Sequence, residues 1–179
     1  MGLLQSEYKS RCIMGEVMIR KATHGDVEKL VELGFLQYAE ERAFTTGLNF
    51  SYMHTSFGWH YLIDHEVMGM TFVSEDEGVI CGFYTCHFSP SGNDHTQIIC
   101  HEVAWYVHPF HRSKGVGKAL LKACQKEALS RKVTMHKVGT AVDTDKVLGL
   151  GAWYEKMGYT PFQTEYFKIL TEEDVKDES

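Results

Sequence analysis

The sequence predicts a mixed sheet with helices on both faces. Two observations carry this: apolar runs of period two and of period 3.6 alternate along the chain, and turn residues separate them. A third is residues 107–121, VHPFHRSKGVGKALL, where a strand end, a glycine-bearing turn and a helix start follow one another directly.

Residues 17–22 read as a strand. Thr23 with Asp26 three positions later is a helix N-cap signal before Val27, Leu30, Val31 and Leu33. Residues 41–65 are rich in Phe, Tyr, Trp and His and predict one short helix. Two strands at 68–73 and 79–88 flank the polar stretch Ser74-Glu75-Asp76-Glu77-Gly78, which suits a hairpin. A strand over 98–107 leads into the turn, and a helix over 115–131 leaves it. A strand over 138–142, a helix over 147–157 stopped by Gly158 and a closing strand or hairpin over 159–170 complete the body. Residues 1–17 form an N-terminal extension, 18–170 the domain and 171–179 an acidic tail.

A chain of 179 residues with 44% hydrophobic and 23% charged residues suits one globular domain with its own core. No apolar run reaches the roughly 18 residues that a membrane span needs, and no signal-peptide pattern opens the chain. Residues 2–6 match the short M-G-x-x-x-[ST] acylation pattern, which chance explains better. Of five cysteines, Cys81, Cys86, Cys100 and Cys124 lie in apolar stretches and read as reduced core residues, which favours a cytoplasmic protein. The net charge of -6 argues against a nucleic-acid partner, although Lys and Arg concentrate between Arg112 and Lys137. His108 with His111, and His54 with His60 and His65, match no metal-ligand spacing, and no metal is expected.

The turn carries the chemistry. Arg112, Gly115 and Gly117 stand as R-x-x-G-x-G, and Val116, Ala119, Leu120, Ala123 and Cys124 continue with helical period. A helix start leaves backbone N–H groups without partners and carries the positive end of the dipole, so a glycine turn there suits a phosphate. Gly117-Lys118 is followed by Ala119, which excludes a Walker A loop, and Leu120 stands where a dinucleotide-binding turn needs its third glycine.

The run Val107, Pro109, Arg112, Gly115, Gly117 resembles the signature of the Gcn5-related N-acetyltransferase (GNAT) superfamily. Residues 19–23 with Asp26, and the stretch Gly151 through Tyr159, are similar to that family's first strand and cap and to its late Y-e-k-x-G-[FY] helix. The resemblance spans roughly residues 18 to 170. It implies an α+β fold with a central twisted mixed sheet of about six or seven strands, and acetyl-CoA as co-substrate with a primary amine as acceptor. Arg112, Ser113, Lys114, Gly115, Val116, Gly117 and Lys118 would cradle the pyrophosphate, with backbone amides of Trp105 and Val107 on the acetyl and pantetheine groups.

The transfer needs a proton acceptor for the amine. Glu102 is the candidate, in an apolar neighbourhood that raises a carboxyl pKa; a plain sheet-surface glutamate is an equal reading, and His101 is a weaker alternative. Tyr154 is similar to the family's general acid, and a packed aromatic is its alternative, a part that Trp153 fits better. Many relatives carry an asparagine where this chain has Val147, which leaves Asp143, Thr144 or Asp145 to substitute. A catalytically silent fold that binds coenzyme A or a protein partner is the alternative function.

The acceptor, a small molecule or a protein, would meet residues 35–65 and 159–168. Glu40, Glu41, Asp64 and Glu66 would attract a cationic amine or serve as solvated surface charges. The aromatic residues of 44–61 suit a partly apolar pocket or a homodimer contact.

Overall fold

The computed structural model describes residues 17–41, 49–140, 145–146 and 148–163. The expected extension, the acidic tail, most of the closing strand, and Phe44, Asp143, Thr144 and Val147 lie outside them.

The described residues form a five-stranded sheet in sequence order, β1 (Met18–Lys21), β2 (Gly69–Asp76), β3 (Val79–Pro90), β4 (Ile98–Val107) and β5 (Met135–Lys137). Neighbours are antiparallel except β4 and β5, which are parallel. The sheet is therefore mixed, with fewer strands than the six or seven expected. Of the strand expected over 138–142, residues 138–140 carry no strand and 141–142 lie outside the described residues; the described pairing with β4 is at β5, over Ile99–Met135, Cys100–His136 and His101–Lys137.

Helices cover both faces. On one lie α1 (Val27–Glu40) and α2 (Tyr52–Asp64). Leu30, Leu33 and Trp59 pack there against Val73, Phe83 and Tyr106. On the other lies α3 (Val116–Ser130), whose Val116, Leu120, Leu121 and Cys124 meet Phe72, Tyr84, Cys86 and Cys100. The short α4 (Leu150–Lys156) packs on the same side through Trp153. Neighbouring strand residues such as Phe83 and Tyr84 enter opposite clusters, as the period-two pleat requires.

Local signals explain most boundaries. The Asp26 carboxylate accepts from Thr23 N at 2.7 Å and Thr23 Oγ1 at 2.9 Å, and pairs with Arg20 at 2.7 Å. This network starts a short 3₁₀ turn, His24–Asp26, that runs into α1. The Arg20 guanidinium holds the Asp26 carboxyl down at about 2. The β2–β3 hairpin runs further than expected and turns at Glu77 and Gly78, both with positive φ, which matches the right-handed twist of the strands. Ser51 caps α2, its Oγ accepting from His54 N at 3.3 Å.

Candidate active site

The site begins with an irregularity in β4. Thr85 pairs with Ala104 and Cys86 with Glu102, so Val103 is an extra residue without a partner on β3. A bulge of this kind reverses the face parity of the strand beyond it. Residues 102 and 105 would lie on opposite faces of a regular strand. Here Glu102 and Trp105 both meet Tyr154 of α4, while Val103 and Ala104 both turn to the α1/α2 face.

The second irregularity is the divergence of β4 and β5. Their ladder stops at His101–Lys137, so the β5-side edge of β4 is unpaired beyond it among the described residues. His108 N donates to Cys81 O on β3 at 2.8 Å. Alternation along the strand then directs the amides of Trp105 and Val107 to the open edge.

A cavity of about 580 Å³ opens at this edge, walled by the end of α1 (Gln37, Glu40) and its capping residue Glu41, β4, the turn after it, and α4. Of the residues expected from sequence, Glu102, Trp105, Val107, Arg112, Ser113, Gly117 and Tyr154 line it together. Lys114, Gly115 and Lys118 stand exposed at the start of α3, and the Val116 side chain is buried in the core. The first turn of α3 leaves the amides of Val116, Gly117 and Lys118 unpaired by the helix, the first intrahelical bond being Ala119 N to Gly115 O at 3.0 Å.

The two glycines of the turn serve different needs. Gly115 caps α3 with φ +82° and has open space where a Cβ would be, so its backbone conformation is what requires glycine. At Gly117 a Cβ would stand 2.7 Å from Cζ2 of Trp105, so close helix–strand packing requires it. The side chain of Arg112 does not project freely. Its Nε donates to Val107 O at 2.8 Å, and Nη2 donates to Glu40 Oε2 at 2.5 Å. Glu40 also accepts from the Tyr106 hydroxyl at 2.6 Å, which ties the end of α1 to β4.

The Tyr154 hydroxyl lies 3.3 Å from Glu102 Oε2 and 3.2 Å from Gly139 O. Burial pushes the Glu102 carboxyl up to about 8, against the opposing pull of the Tyr154 hydrogen bond. Burial and the nearby Glu102 charge raise the Tyr154 phenol, which keeps it protonated. His101 lies 3.0 Å from Ser89 Oγ through Nε2 and stacks on His87, away from this pair. Asp145 caps α4 by accepting from Gly151 N at 2.6 Å, so its carboxylate is already engaged.

A family model described as the acetyltransferase (GNAT) family matches residues 34–159. The chain belongs to this family. No curated protein sequence matches the chain. Solved structures with the same fold include a predicted acetyltransferase with acetyl-CoA from Clostridium acetobutylicum, 17% identical, TM-score 0.67, covering 87% of this chain and 96% of that one. A ribosomal-protein-alanine N-acetyltransferase from Brucella melitensis biovar Abortus 2308 is 18% identical, TM-score 0.66, covering 87% and 100%. Glucosamine-6-phosphate N-acetyltransferase from Arabidopsis thaliana is 18% identical, TM-score 0.65, covering 88% and 100%.

Sequence reasoning did not find the α1 wall of this GNAT cavity or the Val103 bulge. Glu40 and Glu41, expected either to attract a cationic amine or to be solvated surface charges, both line the cavity, Glu40 already paired with Arg112. Asp64 lies beside His24, and Glu66 pairs with Lys21 and Arg131, remote from the cavity. No helix among the described residues is long and apolar enough to cross a membrane.

Proposed function

We propose that the protein transfers an acetyl group from acetyl-CoA to a primary amine by direct attack in a ternary complex. The observation that carries this is the Glu102–Tyr154 pair at 3.3 Å, in a cavity whose other wall ends at the unpaired first turn of α3. When bound, acetyl-CoA supplies an activated thioester carbon.

The chain supplies the rest. The amides of Val116, Gly117 and Lys118 are the donors for the pyrophosphate, with Lys114 and Lys118 adding charge. The edge amides of Trp105 and Val107 are positioned to donate to the thioester carbonyl and the pantetheine arm; the first offsets the negative charge that develops on oxygen. Glu102 accepts the proton that the attacking amine loses. Tyr154 gives its proton to the departing sulfur and regains one from Glu102 across their hydrogen bond, so the proton balance closes. A base near pH 8 is matched to this task, since it is partly ionised at neutral pH yet holds a proton well.

Calorimetry with acetyl-CoA, with NADH and ATP as controls, tests the cavity assignment, and an amine panel read by thiol release tests the transfer. Selective acetyl-CoA binding with thiol release is expected. Folded protein that binds no acetyl-CoA would overturn the proposal in favour of a silent fold.

A further inference from the structure

Among the described residues outside the cavity, a cluster of metal-binding side chains lies in the core between α3 and the sheet. Cys86 of β3, Cys100 of β4 and Cys124 of α3 bring their sulfurs within 4.8 Å of one another, and each residue is 0% exposed. Sγ of Cys124 is 3.7 Å from Sγ of Cys86 and 4.0 Å from Nε2 of His136 on β5. Thiolates placed tetrahedrally about one zinc at the usual Zn–S length of about 2.3 Å stand about 3.8 Å apart. Three sulfurs from β3, β4 and α3 thus converge on one point, with the His136 imidazole beside Cys124.

We infer that Cys86, Cys100, Cys124 and His136 form a structural site for a thiophilic divalent cation, with Zn²⁺ as the ion that fits. Three thiolates with one imidazole are a zinc donor set; the three sulfurs are already gathered, His136 closes the set by turning Nε2 toward them, and a dry interior suits a structural rather than a catalytic ion. Binding converts the thiols to thiolates and releases their protons to solvent, and the cation offsets most of the negative charge formed.

The surroundings of His136 supply the outer contacts. Tyr159 hydroxyl lies 2.8 Å from Nδ1; in the tautomer that carries the proton on Nδ1 it accepts from Nδ1–H, and Nε2 is the ligand atom. Tyr84 hydroxyl holds Nε2 at 2.7 Å, so binding requires this hydrogen bond to break. Entry is through the β5 side, where a three-residue strand holds the sheet by a short ladder that opens readily.

Such an ion would tie together the two strands whose divergence opens the cavity. Cys100 precedes Glu102 by two residues on β4, and His136 precedes Gly139, the acceptor of Tyr154, by three. The inference does not depend on the acetyl-transfer reading.

The test uses the full chain, reduced, stripped of metal and reloaded with Zn²⁺ alone, then desalted and assayed for retained zinc. One zinc per chain is expected. Reloading with Co²⁺ instead should give thiolate-to-cobalt charge-transfer absorption with tetrahedral d–d bands. Cys100→Ser and Cys124→Ser should each lose the zinc, whereas Cys81→Ser, a buried cysteine outside the cluster, should keep it. Tyr159→Phe leaves every ligand in place and should weaken zinc roughly 10- to 100-fold. A wild-type chain with no cobalt–thiolate band, or zinc retained undiminished by Cys100→Ser and Cys124→Ser, would overturn the site. The wild-type cobalt spectrum decides the matter even where a cysteine variant fails to fold.

Discussion

The turn at 112–118 and the strand segment at 102–107 form adjoining parts of one cavity wall, and they are specified differently. In the turn, the features that present the backbone amides are local: a left-handed Gly115, a helix start at Val116, and basic residues around both. In the strand, the placement of Glu102 beside Trp105 depends on Val103 having no partner on β3 and on β5 parting from β4 after His101. The turn would be recognisable in a short peptide, but the strand acquires its chemistry only from its neighbours. A phosphate site needs backbone donors in a fixed local conformation, while a proton-transfer pair needs side chains from remote elements on one face.

Removing Val103 breaks the comparison most severely. Its deletion restores regular alternation, which puts either Glu102 or Trp105 on the α1/α2 face, away from Tyr154. Acetyl-transfer activity should fall below detection although the R-x-x-G-x-G turn is intact. Activity retained in a folded deletion variant would show that the bulge does not align the site.

Glu102→Gln acts on the strand alone. Turnover should fall by about 10²- to 10⁴-fold, with acetyl-CoA affinity in calorimetry nearly unchanged. Wild-type turnover should rise with pH and level off near 8, the value to which burial raises this carboxyl, and the variant should lack that limb. Stability gives an independent reading. Between about 4.5, where an unfolded glutamate titrates, and 8, the folded state holds a proton that the unfolded chain has lost. Wild-type stability therefore decreases as pH rises through this window, by up to about 1.4 kcal/mol per unit. Urea denaturation across the window should show the slope in the wild type and a shallower one in Glu102→Gln.

Much of the fold was legible because its signals are local. The Thr23–Asp26 cap, the Glu77-Gly78 hairpin and the amphipathic α3 each fall close to where periodicity and turn chemistry place them. A strand was expected from Val138 onward because β-branched residues lie there, whereas among the described residues pairing with β4 selects Met135, His136 and Lys137. Strand propensity yields to available partners. At the site, Glu102 and Tyr154, chosen by type and position, do line one cavity, but no pattern in HEVAWYV marks Val103 as the extra residue. Nor does spacing connect Cys86, Cys100 and Cys124, which only tertiary packing gathers.

Tyr154→Phe sharpens the contrast within the pair. Losing the phenolic proton should lower turnover by about 10²-fold and leave acetyl-CoA affinity close to wild type. The hydrogen bond from Tyr154 holds the Glu102 carboxyl lower than burial alone would, so its loss should move the rising limb of the pH profile to higher pH. Unchanged turnover would remove the general-acid role, and an unmoved limb would separate the two residues.

The smallest effects distinguish the two glycines of the turn. Gly115→Ala meets no neighbour and incurs only the left-handed backbone penalty, about 1–2 kcal/mol. It should lower Tm and change acetyl-CoA affinity little. Gly117→Ala must displace Trp105 or the start of α3, because the new methyl falls 2.7 Å from the indole. The stability loss is of similar size, about 1–3 kcal/mol, but the displacement reaches the strand whose amide faces the cavity, so affinity should fall as well. If the two variants lose affinity equally, the turn acts as one phosphate cradle and the Trp105 contact carries no separate weight. If only Gly117→Ala does, the second glycine of R-x-x-G-x-G is where the local turn and the nonlocal strand are joined.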